Sequence, residues 1–191
     1  MMDGAWTSER LHEALRRHFG YETFRDGQAE AILNLLAGQD VMLVMPTGSG
    51  KSLCYQLTAL LMPGVTVVVS PLIALMKDQV DALERRGIAA TFLNSSVDGA
   101  EMAYRLDGVR AGRYKLVYVA PERFRNRRFS EALAQAQVSL FTIDEAHCIS
   151  QWGHDFRPDY LNLNQVLAKL GTARVQIEIV GPEIMAPLTD A

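Results

Sequence analysis

Apolar residues along this chain fall in short unbroken blocks separated by longer stretches of helical period. The blocks are Val41 to Met45, Val65 to Ser70, Ala89 to Leu93, Leu116 to Val119 and Ser139 to Ile143. Most are continuous runs rather than alternations, as required of strands covered on both faces in a parallel sheet packed between helices. Between them lie Ser52 to Leu61, Leu72 to Arg86, Asp98 to Val109 and Phe129 to Ala136, all with helical patterning. Asp98 followed by Glu101 gives the third of these a capping-box-like start. Two further helices precede the first block. One covers Ser8 to His18, with Leu11, Ala14, Leu15 and His18 on one face, and the other runs from Arg25 to Leu36. Strand and helix alternate in βαβ units, which predicts an α/β domain with a mostly parallel sheet and helices on both faces. Near the C-terminus the pattern changes: Val175-Gln176-Ile177-Glu178-Ile179 alternates, predicting a strand with one wet face, unlike the central ones.

Composition narrows the picture. At 191 residues, with 49% hydrophobic and 21% charged positions, the chain fits one compact domain with a substantial core. No repeat, proline-rich linker or low-complexity segment divides it. No apolar stretch approaches the ~20 residues that cross a bilayer, and the first 20 residues carry no signal-peptide apolar block. The expectation is a cytoplasmic protein, monomeric in isolation, with no membrane partner. The two cysteines, Cys54 and Cys148, lie in no CxxC or Cys/His ligand spacing, so neither a disulfide framework nor a zinc site is expected. A net charge of −3 argues against holding nucleic acid by bulk positive charge, so any DNA or RNA contact must be local.

Phosphate chemistry is concentrated after the first strand, where Met45-Pro46-Thr47-Gly48-Ser49-Gly50-Lys51-Ser52 leads into a helix. Glycines let a backbone curl so that its N–H groups converge on phosphate oxygens, and the helix N-terminus adds a favourable dipole. In such a loop Lys51 reaches the β- and γ-phosphates and the Ser52 hydroxyl ligates Mg²⁺. A bare Gly-Lys-Ser triplet arises by chance in roughly one chain in ten of this length; the strand before it and the helix after it are what make it specific. Met45 stands where the strict pattern has glycine, which leaves Gly48 and Gly50 for the close approach. The complementary carboxylates follow another apolar strand: Asp144 is placed to hold Mg²⁺ through water, and Glu145 to orient or deprotonate the attacking water.

Four strings, MPTGSGKSLCYQ (45–56), VVVSPLIALMKDQV (67–80), YVAPERF (118–124) and DEAHCISQWGHDFRPDY (144–160), together resemble the first RecA-like domain of RecQ-type DNA helicases over about residues 11–164. The resemblance implies a P-loop NTPase of RecA-like fold using ATP and Mg²⁺ and acting on single-stranded or duplex-junction DNA. It assigns FGYETFRDGQ (19–28) to adenine recognition, with Gln28 reading the base edge, Tyr21 stacking on the base and Arg25 assisting near the nucleotide. It makes the 149–160 loop, with Trp152, His154, Phe156 and Arg157, a sensor of single-stranded DNA, and His147 the link between that sensor and the nucleotide pocket. Exposed aromatics beside arginine suit base stacking at ~1–3 kcal/mol per base; without the resemblance, Trp152 and Phe156 could equally fill a local core. Ser70 and Asn94 follow strands and suit sequence-neutral phosphate or sugar contacts, although ordinary turn chemistry explains them equally well. The arginines at 123, 125, 127 and 128 read as a solvated basic face in preference to an extension of a DNA track.

The expected organisation is N-terminal helices with the adenine motif at 1–38, the ATP-binding core at 39–164, and a divergent tail of low order at 165–191. The tail lacks the Thr-Ala-Thr-like motif of the family, faintly echoed by Leu188-Thr189, and reads as a truncation or a shifted frame. The second RecA-like domain and its arginine finger have no counterpart here, so the chain alone is expected to bind ATP and hydrolyse it weakly. The alternative is a catalytically inactive ATP- or DNA-binding fragment or regulatory module.

Overall fold

Why the strands end where they do follows from how the sheet is covered. In a computed structural model of the chain, the described residues are 6–46, 48–146, 159, 163 and the strand 174–180. They form α1 (Ser8–Phe19), α2 (Gln28–Leu36), β1 (Val41–Met45), α3 (Ser52–Leu61), β2 (Val65–Val69), α4 (Ile73–Glu84), β3 (Ala90–Leu93), α5 (Gly99–Arg110), β4 (Leu116–Val119), a 3-10 turn (Pro121–Arg125), α6 (Arg127–Gln135), β5 (Val138–Ile143) and β6 (Arg174–Val180). The six strands pair in the order β1-β6-β5-β2-β4-β3, all parallel.

Alternate residues of β2 to β5 feed two separate cores. Val68 of β2, Tyr118 of β4 and Leu140 of β5 face the layer formed by α1 to α4, where Leu11, Leu15, Ile32, Leu35, Leu57 and Met76 are buried. Val67, Val69, Val117, Val119 and Phe141 point the other way, against Leu106 and Val109 of α5 and Phe129, Ala132 and Leu133 of α6. Each fully buried Leu or Val contributes roughly 1.5–3 kcal/mol, so burial on both faces fixes the central strands. β1 departs from this pattern. It begins the sheet order, and Met42 and Val44 remain 63% and 54% exposed while Leu43 is buried. A continuous apolar run is therefore not evidence of two covered faces at a sheet edge.

Helix ends differ from their expected places for local reasons. Asp98 caps α5 by accepting from Glu101 N at 2.9 Å, but Glu101 turns its carboxylate to Arg105 Nε at 2.7 Å instead of closing a capping box. Asn126 caps α6 through Phe129 N, starting that helix two residues earlier than the periodicity suggests. α2 begins at Gln28 and not Arg25, because Gly27 is left-handed and Gln28 N closes a turn on Arg25 O. The strand expected at 175–179 forms as β6, but it lies between β1 and β5, with Val41 paired to Gln176 and Ile143 to Ile177. The low-order tail of the expectation thus contributes an interior strand, which a local alternation of polar and apolar residues cannot reveal.

The turn from α3 into β2 is the tightest point of the scaffold. Gly64 is left-handed (φ 74°), and a Cβ there would collide with the Gln137 carbonyl oxygen just before β5. Gly112 has a similar φ of 65° with open space around it. We expect Gly64→Ala to destabilise the chain by roughly 2–4 kcal/mol and Gly112→Ala by about 1 kcal/mol, because only the first adds a backbone clash to the left-handed strain. Urea unfolding midpoints of the two variants check this, and equal losses would contradict it.

Candidate nucleotide-binding site

All six strands run the same way, so the loops that follow them emerge along one edge of the sheet. The segment after β1 and the acidic pair after β5 leave that edge two strand spacings apart, ~10 Å across the sheet. α3, which starts at Ser52, packs against β5. The sheet thus brings together the two segments that the sequence assigns to phosphate and metal.

The loop itself is held by hydrogen bonds to its carbonyls. Gly48 and Gly50 both take positive φ, 76° and 85°, and so turn the chain back upon itself. Pro46 O accepts from Ser49 N at 3.2 Å, Ser49 Oγ at 2.6 Å and Lys51 Nζ at 3.2 Å, and Nζ also donates to Met45 O at 3.1 Å. The outer side of the loop is tied to the start of α2. Arg25 Nη1 donates to Gly48 O at 2.7 Å, and Gln28 Nε2 donates to Gly50 O at 3.0 Å and Ser49 O at 3.4 Å. Gln28 is 2% exposed, and its Oε1 accepts from Arg25 N at 2.9 Å. It is thus buried at the helix start, between the loop and the Arg25 backbone. A Cβ on Gly50 would come within 2.8 Å of Gln28 Nε2, so glycine is what permits this close approach.

A cleft of about 600 Å³ opens beside the loop, lined by Tyr21, Arg25, Gln28, Gly50 and Ser52 together with Gln56, Gln79 and Arg86. Five residues expected to meet the nucleotide therefore share one cavity. Sequence reasoning missed the last three. Gln56 and Gln79 stand inside strings quoted for the resemblance but carry no spacing signal of their own. In the structure Gln56 Nε2 donates to Gln79 Oε1 at 2.7 Å and to Tyr118 OH at 3.3 Å, which joins α3, α4 and β4 behind the cleft. Arg86 had no sequence signal at all.

At the end of β5, Asp144 N donates to Val69 O at 2.9 Å, locking the acidic segment to the end of β2, and Asp144 Oδ1 accepts from Glu145 N at 3.0 Å. Glu145 has φ 52°, the one positive φ outside glycine among the described residues. A non-glycine residue held there is strained by about 1–3 kcal/mol, a feature that concentrates at functional sites.

Ser70 is 2% and Asn94 0% exposed. Asn94 Nδ2 meets Met76 Sδ at 3.6 Å while its Oδ1 accepts from Ser96 N and Oγ at 2.9 and 2.6 Å, the turn chemistry that the sequence allows equally with ligand contact. The basic face is also partly neutralised. Arg123 donates to Asn94 O, Arg125 Nε pairs with Asp159 at 2.5 Å, and Arg127 Nε with Glu131 at 2.7 Å. Thr47, His147, Trp152, His154, Phe156 and Arg157 lie outside the described residues. No helix among the described residues is long and apolar enough to cross a membrane.

Comparison with known proteins agrees with this geometry. The profile of the DEAD/DEAH box helicases matches residues 25–180, reaching beyond residue 164, where the motif resemblance ended, to include β6. The chain is 52% identical to the ATP-dependent DNA helicase RecQ of Bacillus subtilis and 49% identical to that of Haemophilus influenzae, in each case over 84% of its length. It spans only about a quarter of those relatives, 27% and 26%. In fold it is similar to a hypothetical ATP-dependent RNA helicase of Sulfolobus tokodaii (TM-score 0.65, 19% identity, 96% of this chain and 54% of that one). It is also similar to the DUF1998 helicase MrfA bound to DNA (TM-score 0.67, 20% identity, 91% of this chain and 26% of that one). A glycine loop braced by Arg25 and Gln28, an acidic pair on the same sheet edge and a family match over most of the length lead to one conclusion: the chain belongs to the DEAD/DEAH box helicases.

Proposed function

We propose that this chain is the ATP-binding motor domain of a RecQ-like 3′→5′ DNA helicase, which couples ATP hydrolysis to movement along single-stranded DNA and opening of the duplex. The observation that carries the reading is the cleft in which Tyr21, Arg25, Gln28, Gly50 and Ser52 converge beside the glycine loop. The residues present suit Mg-ATP. The loop offers left-handed glycines that Arg25 and Gln28 approach closely, a lysine ammonium that now satisfies the loop's own carbonyls, and a hydroxyl at the first position of α3. Ser52 and Asp144 would hold Mg²⁺, which neutralises charge on the β- and γ-phosphates when bound.

Each role follows from chemistry at a named atom. Lys51 Nζ exchanges the neutral Met45 and Pro46 carbonyls for anionic phosphate oxygens, so that both donor and acceptor are charged. Tyr21, half exposed, offers a ring face to the base. Gln28 uses a donor and an acceptor on the adenine edge, which requires it to release Gly50 O and Arg25 N and so links base recognition to the shape of the loop. The Glu145 carboxylate takes the proton of the attacking water. The aromatic segment with Trp152, His154, Phe156 and Arg157 stacks unpaired bases and signals through His147.

Three measurements test this reading. Lys51→Ala is expected to weaken Mg-ATP binding at least tenfold by calorimetry, and an unchanged affinity would refute the nucleotide site. Glu145→Gln is expected to keep ATP affinity within about twofold while single-turnover phosphate release falls about 10²-fold or more. Gln28→Ala is expected to reduce the preference for ATP over GTP about tenfold or more, because guanine presents the O6 acceptor where adenine presents the N6 donor; competition binding of the two nucleotides reads this directly.

A further inference from the structure

The part of the cleft lining formed by Phe19 and Tyr21 is held by one side chain from a remote part of the sequence. Arg86 Nη1 donates to Phe19 O at 3.0 Å across 67 positions. Its guanidinium lies 5.4 Å from the centroid of the Phe19 ring and 5.9 Å from that of Tyr21. The two rings are nearly parallel, 17° apart with centroids 6.4 Å from each other. Phe19 is buried at the end of α1, whereas Tyr21 is 50% exposed and faces the cleft. Among the described residues, Phe19 is the ring and Arg86 the cation that Tyr21 meets.

Arg86 itself sits on a rigid mount. Its N–H closes the last turn of α4 on Leu83 O at 2.9 Å, Ile88 N donates to the same carbonyl at 3.0 Å, and both Leu83 and Ile88 are buried. The Arg86 residue is exposed, and it is the bond from its guanidinium to Phe19 O, reached from this ordered backbone, that limits where the Tyr21 ring can lie. An aromatic ring already in place binds a base without the loss of side-chain freedom that a mobile ring incurs.

Building on the nucleotide-site reading, we propose that Arg86 is a positioning residue that pre-organises Tyr21 as the base-stacking wall, and so sets affinity for the nucleobase end of ATP and not for its phosphates. No spacing rule marks Arg86, and its contribution is confined to the end of the ligand farthest from Lys51.

The test uses the full chain with Mg²⁺ and two probes, ATP and inorganic tripolyphosphate, which lacks base and sugar. Calorimetry of wild type, Lys51→Ala, Tyr21→Ala, Arg86→Ala, Arg86→Lys and the Tyr21→Ala/Arg86→Ala double variant separates the contributions. Arg86→Ala is expected to weaken ATP binding about five- to tenfold and leave tripolyphosphate within about twofold. Arg86→Lys, which keeps a cation and a donor, should recover part of the loss, and in the Tyr21→Ala background the Arg86 change should have less than about a twofold effect. Equal losses for both probes, no loss for ATP, or full additivity with Tyr21→Ala would each overturn the role of Arg86. If Arg86→Ala does not fold, the probe pattern of Arg86→Lys decides. Failure of wild type to bind either probe, or binding that ignores Lys51→Ala, removes the nucleotide site itself and the Arg86 proposal with it. Lys51-dependent binding of both probes with an indifferent Arg86 removes only the latter.

Discussion

The parallel direction of β1, β6, β5 and β2 is the constraint on which the rest depends. Antiparallel pairing would send the glycine loop and the acidic pair to opposite ends of the sheet. Parallel pairing demands crossovers, the crossovers place α1 to α4 on one face and α5 and α6 on the other, and the buried faces then demand apolar strands. The all-buried sequence of β2, Val65–Val69, is a consequence of that chain of requirements.

Carbonyl accounting explains the site in similar terms. A loop that turns its N–H groups toward an anion must leave its carbonyls facing elsewhere, and these need donors. Arg25 and Gln28 supply donors from outside the loop, while Lys51 and Ser49 supply them from within it. The start of α2 therefore belongs to the phosphate loop as much as the loop residues do. This also explains why α2 starts late: the turn closed by Gly27 frees Arg25 to reach Gly48. Whatever meets Gln28 in the cleft is felt directly at Gly50.

Other residues of the cleft lining have a different origin. Gln56 and Tyr118, both buried, join half-buried Gln79 to link three elements, and exposed Arg86 ties the end of α4 to the end of α1. Buried polar groups such as Gln56 are stable only when their partners are in place, so they fix the relative position of α3, α4 and β4 more sharply than apolar packing does. The cleft is bounded by elements that the two cores position and that these polar contacts hold in register.

Much of this was legible in the sequence. Periodicity located the helices and strands to within a few residues, and the residue types at 45–52 and 144–145 singled out two segments that the sheet brings to one edge. The sequence could not place β6, since strand order is a choice among non-local pairings to which local alternation is blind. Nor could it show that Met42 and Val44 stay exposed on a run as apolar as β2, or that Asn94 turns inward to Met76 and Ser96. Arg86 beside Tyr21 and Gln28 against Gly50 arise only when segments distant along the chain are brought side by side, and that proximity is decided by packing of the sheet and its helices, not by any property of the residues read one after another.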